Sequence, residues 1–559
     1  MRIQLHHDSQ WVRNGDTMVA GSAFVDGEQL SAEDLADRVS KTESEDELRR
    51  VLSRGNGFFS VIHQTEAATF AAVDHVRSWP LYYAVTDDVY VSDSAEWVHD
   101  AGASRGYDPI AATEYLFCCF VSGKDTLSRD VKQLRAGELV RFDDSEPGVQ
   151  SGRYFVHSPT ESTTSIDMDE LDEVVEGAVG RLIDRADGRT ILLGLSGGYD
   201  SRIIALMLHR LGYENVVAYT TQAAASGSEN VETARSLADD LDFEHITVTS
   251  GAADYGRIDG SAQMKLVEDI GYLSEYPSIN KVIQRRKLEA GGIDPEEVVH
   301  VLGHQLLGAG TFLPAWVREQ HTLSRAEFTD LLWSLHYSHW EASSRTQWRE
   351  LFESRMVDQI PASLYHSGTV EPTPAAMRGI EQWYWQERLP KFITIRREYE
   401  YLGFDMWYPL LDKELFSFFQ RSDHRDRVEK RALKEYAARL DREVRGVRLR
   451  DELGGDGSSQ SPANLLWNQI VRLVHALPDP ATEAIRRRYN EYRSQDLYHT
   501  DPRYRIVSEE TFDSFSFANV DDNALHRTLL YLYLYENGYF TLPGSTELDR
   551  AVGRAGKSG

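Results

Sequence analysis

The sequence predicts a multidomain protein of mixed α+β and α/β class. A strand-rich N-terminal unit comes first, then a doubly wound parallel-sheet domain, then a mainly helical C-terminal part. Three observations predict it. At 559 residues the chain exceeds what one hydrophobic core ordinarily serves. Its apolar period changes near residue 167, from short alternating runs to helix-length repeats. Beyond that point strand-like and helical runs alternate, which is the pattern of parallel βαβ units.

The elements follow in order. Residues 61–63, 69–73 and 89–92 are short apolar or alternating runs suited to strands, and they place 1–157 in one unit. Residues 157–165 are polar and turn-rich and read as a linker. Leu171, Val174, Val175, Ala178, Val179 and Leu182 then recur at helical spacing. A strand over 191–195, a small-residue loop and a helix to about Arg210 come next. Strands at 216–221, 245–248 and 298–302 and a helix at 230–240 complete the pattern, within a unit spanning 167–450. Beyond 320 the chain reads as predominantly helical and aromatic-rich, as at Trp383-Tyr384-Trp385. Residues 451–559 read as a helical extension with a flexible tail from about Ala551.

Composition narrows the function classes. No apolar run approaches the ~18 residues of a membrane span, and the first residues lack a secretory apolar core, so a cytoplasmic protein is expected. The two cysteines, Cys118 and Cys119, are adjacent and cannot build a disulfide framework or a four-ligand zinc site. Net charge is −29, with 89 acidic and 60 basic residues, which argues against nucleic-acid or anionic-membrane partners. Only 11 of the basic residues are lysine. An acid-rich, lysine-poor surface suits concentrated salt, where self-repulsion is screened, so a halophilic milieu is expected.

The most informative stretch is Ser196-Gly197-Gly198-Tyr199-Asp200-Ser201, between an apolar strand and an apolar helix. Two glycines let backbone approach a phosphate, and the new helix aims free N–H groups and its positive dipole end at the charge. A carboxylate at Asp200 would repel a phosphate unless a cation lies between them, which points to Mg²⁺ on Asp200. The lysine and spacing of a Walker loop are absent.

This loop resembles the pyrophosphate-binding loop (PP-loop) of ATP pyrophosphatases. The wider chain, over most of residues 10–440, resembles the asparagine synthetase family in the broad sense that includes β-lactam-forming synthetases. Gly57-Phe58-Phe59-Ser60, the segment 74–83, and the segments 123–127 and 131–137 resemble that family's N-terminal domain. Tyr408-Pro409-Leu410-Leu411-Asp412 resembles a landmark of its synthetase half, and residues 428–435 resemble the helix whose lysine contacts pyrophosphate, here Lys430. The resemblance implies an N-terminal-nucleophile (Ntn) hydrolase-like sandwich related to class II glutamine amidotransferases, followed by a PP-loop domain.

Two departures stand out. The family's amidotransferase uses a cysteine exposed by removal of Met1, whereas position 2 is Arg, so no glutaminase activity is expected. Where family members carry an acidic loop after a Ser-Gly or Gly-His pair, this chain reads Gly303-His304-Gln305-Leu306-Leu307-Gly308, without an acid.

The resemblance implies ATP and Mg²⁺ as cofactors and Asp200 and Lys430 as catalytic residues, with Asp200 as the metal ligand. Leu193, Leu195, Ser196, Gly197, Gly198, Asp200, Ser201, Tyr219 and Gly303 would line the ATP and pyrophosphate site, adenine lying near 193–195 and 219–220. His304 reads either as a donor to phosphate or as a structural hydrogen-bonder. Arg396 and Arg397 read as anchors for an acidic substrate or as ordinary surface arginines. Glu229 and Asn230 read as a nucleotide-side loop or a helix cap, and Lys434 as part of a solvated face. The activity implied is an ATP-dependent amide ligase. It would adenylate a small carboxylic acid, aspartate by default, release pyrophosphate, and join the acid to ammonia or an amine, with a separate glutaminase as one ammonia source. A nucleotide-binding protein without turnover, and a relative amidating a surface-polymer or secondary-metabolite carboxylate, stay open. So does a homodimer.

Overall fold

The computed structural model describes residues 1–447 apart from 8–9, 103–105, 119, 144–147, 161–163, 224–228, 256–269, 271–279, 305–322, 338–351, 354, 357–364, 367–368 and 371–372. Beyond 447 it describes 488–489, 491–496, 507–513, 528–529, 532 and 536. The expected loop at 305–310, Cys119 and most of the C-terminal extension therefore lie outside the described residues.

The N-terminal strands bury both faces, which is why their runs are so continuously apolar. One antiparallel sheet runs in the order Val149–Arg153, Glu138–Asp143, Ala68–Val73, Asn56–Gln64, Thr17–Val25, Trp11–Asn14. On one face Val19, Val61, Ala72 and Leu139 pack with residues of two helices, Ala32–Ser40 and Glu45–Arg54. On the other, Met18, Ile62, Ala71 and Val140 pack with Leu81 and with Tyr83 and Val91 of a second, four-stranded sheet. The expected two-sheet stack is thus present, with helices outside it.

The second half begins with helix α1 (Met168–Ala186), capped by Asp167, whose side chain accepts from the N–H groups of Asp169 and Glu170. Then come β1 (Thr190–Gly194), α2 (Tyr199–Arg210), β2 (Val216–Ala223), α3 (Glu229–Asp240), β3 (Glu244–Ser250), α4 (Asn280–Ala290) and β4 (Val298–Leu302). A short helix, α5 (Arg397–Tyr401), leads to β5 (Asp405–Trp407), and α6 (Arg431–Arg445) follows. All five strands are parallel, in the order β3-β2-β1-β4-β5. The order reverses at β1, so the chain leaving β1 opens onto the crevice where doubly wound sheets place ligands. Each strand and helix expected between 191 and 302 is present within two residues of its expected bounds.

The region beyond 320 is less uniformly helical than expected. Strand β5 and three two-residue strands, Leu323–Ser324, Tyr365–His366 and Thr369–Val370, interrupt it. Strands this short carry no readable period. The aromatic run spans the end of a helix, Thr373–Trp383, and the π-turn that follows, Tyr384–Arg388, with Trp383 and Trp385 fully buried. Among the described residues no helix is long and apolar enough to cross a membrane.

The two halves share one buried cluster, in which Phe24, Phe58, Val76 and Ala136 join the parallel-sheet core. Polar contacts reinforce it. His75 Nε2 donates to Leu411 O at 2.7 Å, and Asn56 both donates to Asp412 Oδ1 (3.0 Å) and accepts from Lys413 N (2.9 Å). The expected linker is tied down as well, since Ser158 N and Thr160 N donate to Gln420.

Candidate active site at the carboxyl end of β1

Strand β1 is the central strand, and Ile191, Leu192 and Leu193 are buried beneath its neighbours. It ends in glycine, where little room is left for a side chain. A Cβ on Gly194 would lie 2.8 Å from Leu302 and 3.2 Å from the Tyr219 hydroxyl. Past it, Leu195 N still donates to Tyr219 O, and Thr220 Oγ1 donates to Leu195 O.

The loop then folds on itself. Ser196 N donates to Ser201 Oγ at 3.1 Å, Gly198 N to Ser196 Oγ at 3.2 Å, and Gly197 N to Asn230 Oδ1 at 2.7 Å. Helix α2 starts at Tyr199 with Gly198 as its cap and no side-chain cap bond, so its first-turn N–H groups face the loop mouth uncapped. Gly303, at the end of β4, packs on this turn: a Cβ there would be 2.8 Å from Ser201 N. Gly303 is therefore a close-approach glycine supporting the helix terminus. Asn230 serves the loop through its side-chain oxygen.

Asp200 is the carboxylate of the first turn. Its Oδ2 accepts from Lys430 Nζ at 2.7 Å, and its Oδ1 is buried without a hydrogen bond. Burial raises its pKa from the usual carboxylate value, with the Lys430 charge opposing. Lys430 was expected on a helix; it lies instead just before α6, at the cap, with φ +59, and Glu429 before it has φ +55. Two consecutive left-handed non-glycine residues are strained, at about 1–3 kcal/mol each, and they aim the lysine back at α2. Helix α6 is locked to α2 by a fully buried ion pair, Arg202 to Asp441 at 2.7 Å, which Arg445 shares at 2.5 Å.

The side chains of Leu193, Leu195 and Tyr219 are turned into the core, at 0%, 2% and 3% exposure. These residues can meet a ligand only through backbone. The Tyr219 hydroxyl lies 2.7 Å from His300 Nε2, and the His300 ring packs edge-on to Tyr399, 4.4 Å between centroids. Lys281 Nζ donates to Tyr399 Oη at 2.6 Å, and Tyr399 Oη donates to Gln284 at 3.0 Å. Sequence reasoning missed Lys281, Gln284, His300 and Tyr399. The one legible signal was His300, a polar residue inside the apolar run of β4.

His304 is half-buried against Phe392, and its buried Nδ1 has no hydrogen-bond partner among the described residues. Burial, then the charges of Arg396, Lys281, His300 and Lys430, hold its pKa well below the ordinary value, so it is neutral. Arg396 and Arg397 separate. Arg396 stacks over Phe392 at 4.5 Å beside His304, with its Nε unbonded. Arg397 turns toward the N-terminal half, 4.8 Å over the Trp79 ring and 3.5 Å from Glu400. The two side chains thus lie in different surroundings, Arg396 beside His304 and Arg397 against Trp79. Lys434 lies 5.8 Å over the Tyr199 ring.

Among the described residues no group of three or more His, Cys, Asp or Glu side chains could hold a metal by itself. Asp200 Oδ1 is one free, buried carboxylate oxygen. That fits a hard cation taking most of its ligands from phosphate and water, the usual habit of Mg²⁺.

Residues 172–258, from within α1 to beyond β3, match the NAD synthase family model. No curated protein matches the chain. Among solved structures, glutamine phosphoribosylpyrophosphate amidotransferase from B. subtilis, complexed with ADP and GMP, is 14% identical, with 55% of this chain and 58% of that one covered and a TM-score of 0.17. A structure described as the allosteric regulatory enzyme of purine biosynthesis is 12% identical, with 52% and 55% covered and a TM-score of 0.17. The chain thus spans a little over half the length of each, and at that TM-score neither likeness bears on the fold.

Proposed function

We propose that this chain is an ATP-dependent amide-forming ligase that activates a carboxylic acid as its acyl-adenylate. The observation that carries the reading is the Asp200–Lys430 pair at the uncapped start of α2, at the carboxyl end of the central parallel strand. The match of residues 172–258 to NAD synthase supports the same chemical class.

The chemistry follows from the charges. A carboxylate is a poor electrophile at neutral pH. Its oxygen attacks the α-phosphorus of ATP, the bond to the β,γ-pyrophosphate breaks, and the acid becomes a mixed anhydride with AMP. Charge accumulates on the leaving pyrophosphate, where the first-turn N–H groups of α2 and Lys430 are aimed. Mg²⁺ held at Asp200 would supply further charge neutralisation there. Once phosphate replaces Asp200 as partner of the Lys430 ammonium, the Asp200 carboxylate is free for that cation. An amine or ammonia then attacks the acyl carbon, the bond to AMP breaks, and one proton leaves the nitrogen.

Arg396 and Lys281 both bear electrostatically on neutral His304, while Lys430 is paired with Asp200, so basic groups are available beside the loop within a chain of net charge −29. That favours an anionic acid, with aspartate as the first candidate. The test is pyrophosphate release from Mg-ATP in molar KCl, with a carboxylic-acid panel that includes aspartate, each with ammonium or glutamine. Release that needs one acid and ammonium supports the ligase. Nucleotide binding with no release from any acid overturns it in favour of a non-catalytic nucleotide-binding role.

A further inference from the structure

Two arginines share one aromatic ring. The Phe392 centroid lies 5.7 Å from the Arg388 guanidinium carbon and 4.5 Å from that of Arg396. Positions 388, 392 and 396 are four apart, which gathers them on one face of the helix Leu389–Ile395 and its ends. His304 packs against the same ring, 4.8 Å between centroids.

Both arginines are half-buried, and neither guanidinium makes a hydrogen bond or an ion pair among the described residues. Arg396 Nε has no accessible surface, but the terminal nitrogens of both side chains reach it. Carboxylates close to them in sequence are engaged elsewhere. Glu387 Oε2 accepts from Gly123 N at 2.7 Å, Glu398 is fully buried, and Glu400 pairs with Arg397. Two like charges held against one ring repel each other, so an anion between them is doubly favoured. Stacking on Phe392 holds the planar forks ready for a carboxylate, which they can grip by two bonds at once.

The pair lies beside the Ser196 loop. Arg396 and Lys430 both act electrostatically on His304, and Arg396 acts also on Tyr219, the register partner of Gly194. Lys281 adds a third positive charge on His304, and Asp200 is occupied by Lys430. An amino acid would bring its ammonium into this field, where no described carboxylate stands free to receive it. A dicarboxylic acid without an ammonium meets only attraction.

We propose that Arg388 and Arg396 hold the second, non-reacting carboxylate of the acid, and that this acid is a dicarboxylate without a neighbouring ammonium. The proposal rests on the ligase reading for what the subsite serves. Its test is isothermal titration of the full-length protein with succinate and glutarate, and with aspartate and glutamate as their aminated counterparts. Each is titrated alone and with Mg²⁺ and α,β-methylene-ATP, whose α–β bond cannot be cleaved. The expected result is that one diacid binds at least tenfold tighter than its amino acid. Arg388→Met and Arg396→Met keep the apolar contact with Phe392, and each should weaken that binding at least tenfold with an unchanged thermal melt. Arg396→Lys keeps the charge without the fork and should fall between wild type and Arg396→Met. Binding of neither diacid in either condition overturns the proposal. So does an amino acid that binds as tightly as its diacid, or undiminished binding in both methionine variants. Pyrophosphate release separates the two readings. A diacid that needs both arginines to bind yet causes no release supports the subsite and overturns the ligase. Acid-dependent release that neither methionine variant alters overturns the subsite alone.

Discussion

Lys430 Nζ donates to Asp200 Oδ2 at 2.7 Å, closing a contact across 230 residues of sequence. The pair joins the first turn of one helix to the strained turn before another, and both partners face the loop mouth. If the pair serves pyrophosphate departure, Asp200→Ala and Lys430→Met should each lower acid-dependent pyrophosphate release about 100- to 1,000-fold. Lys430→Met also leaves Asp200 buried without a counter-charge, so its pKa should rise further. Unchanged release in Asp200→Ala would remove that residue from the mechanism.

Gly303→Ala tests the support beneath the loop. The added methyl would press on Ser201 N at 2.8 Å, and neither backbone can yield without shifting the start of α2. Overpacking of this kind destabilises by about 1–3 kcal/mol. Nucleotide affinity, read by fluorescence titration, should fall in proportion to the displaced N–H groups. Wild-type affinity would show that Gly303 carries no such constraint.

The Arg202–Asp441 pair is fully buried, with both side chains at 0% exposure. Arg202→Met leaves Asp441 with Arg445 alone and should be destabilising by about 3–5 kcal/mol, as broken buried pairs usually are. Urea unfolding measures it. The double variant Arg202→Met/Asp441→Leu should recover part of the loss, since it removes the buried charge; no recovery would mean that Arg445 is the more important partner.

Acid sensitivity should come partly from His157. Burial lowers its pKa to about 3, against an ordinary 6.5, and its ring packs on Trp385 and Phe416. A lowered histidine pKa means the unfolded state binds the proton first. This contribution is intact above pH 6.5 and is lost as pH falls from 6.5 toward 3, at about 1.4 kcal/mol per pH unit. His157→Phe keeps the ring contacts and removes the titration, so its urea midpoint should fall less than wild type between pH 6.5 and 4.5. Parallel curves would contradict this origin.

Local signals made much of the fold legible. Strands β1, β2, β3 and β4 announced themselves as short apolar runs between turn residues, and the Ser196 loop by its glycines at a strand-to-helix junction. Strand β5 did not, because three residues before a proline carry no period. Arg396 and Arg397 looked equivalent as neighbours, yet Arg396 sits in the turn between two helices and Arg397 begins the second, so one lies beside His304 and the other stacks on Trp79. The positions of Leu195 and Tyr219 beside the loop were legible, whereas the burial of their side chains, which leaves only backbone for a ligand, was not.

By itself the sequence determined the class of each half, the alternation of parallel strands and helices between 191 and 302, and the anion-cradling loop with its carboxylate. These depend on residues close together along the chain, where periodicity and turn chemistry act directly. Tertiary structure alone decided that Lys430 meets Asp200 and that Lys281, Gln284, Tyr399 and His300 come together beside β4. It alone brought His304 against the ring that Arg388 and Arg396 share. Each of those depends on which faces of distant elements are pressed together when the core closes, and no local pattern encodes that pairing.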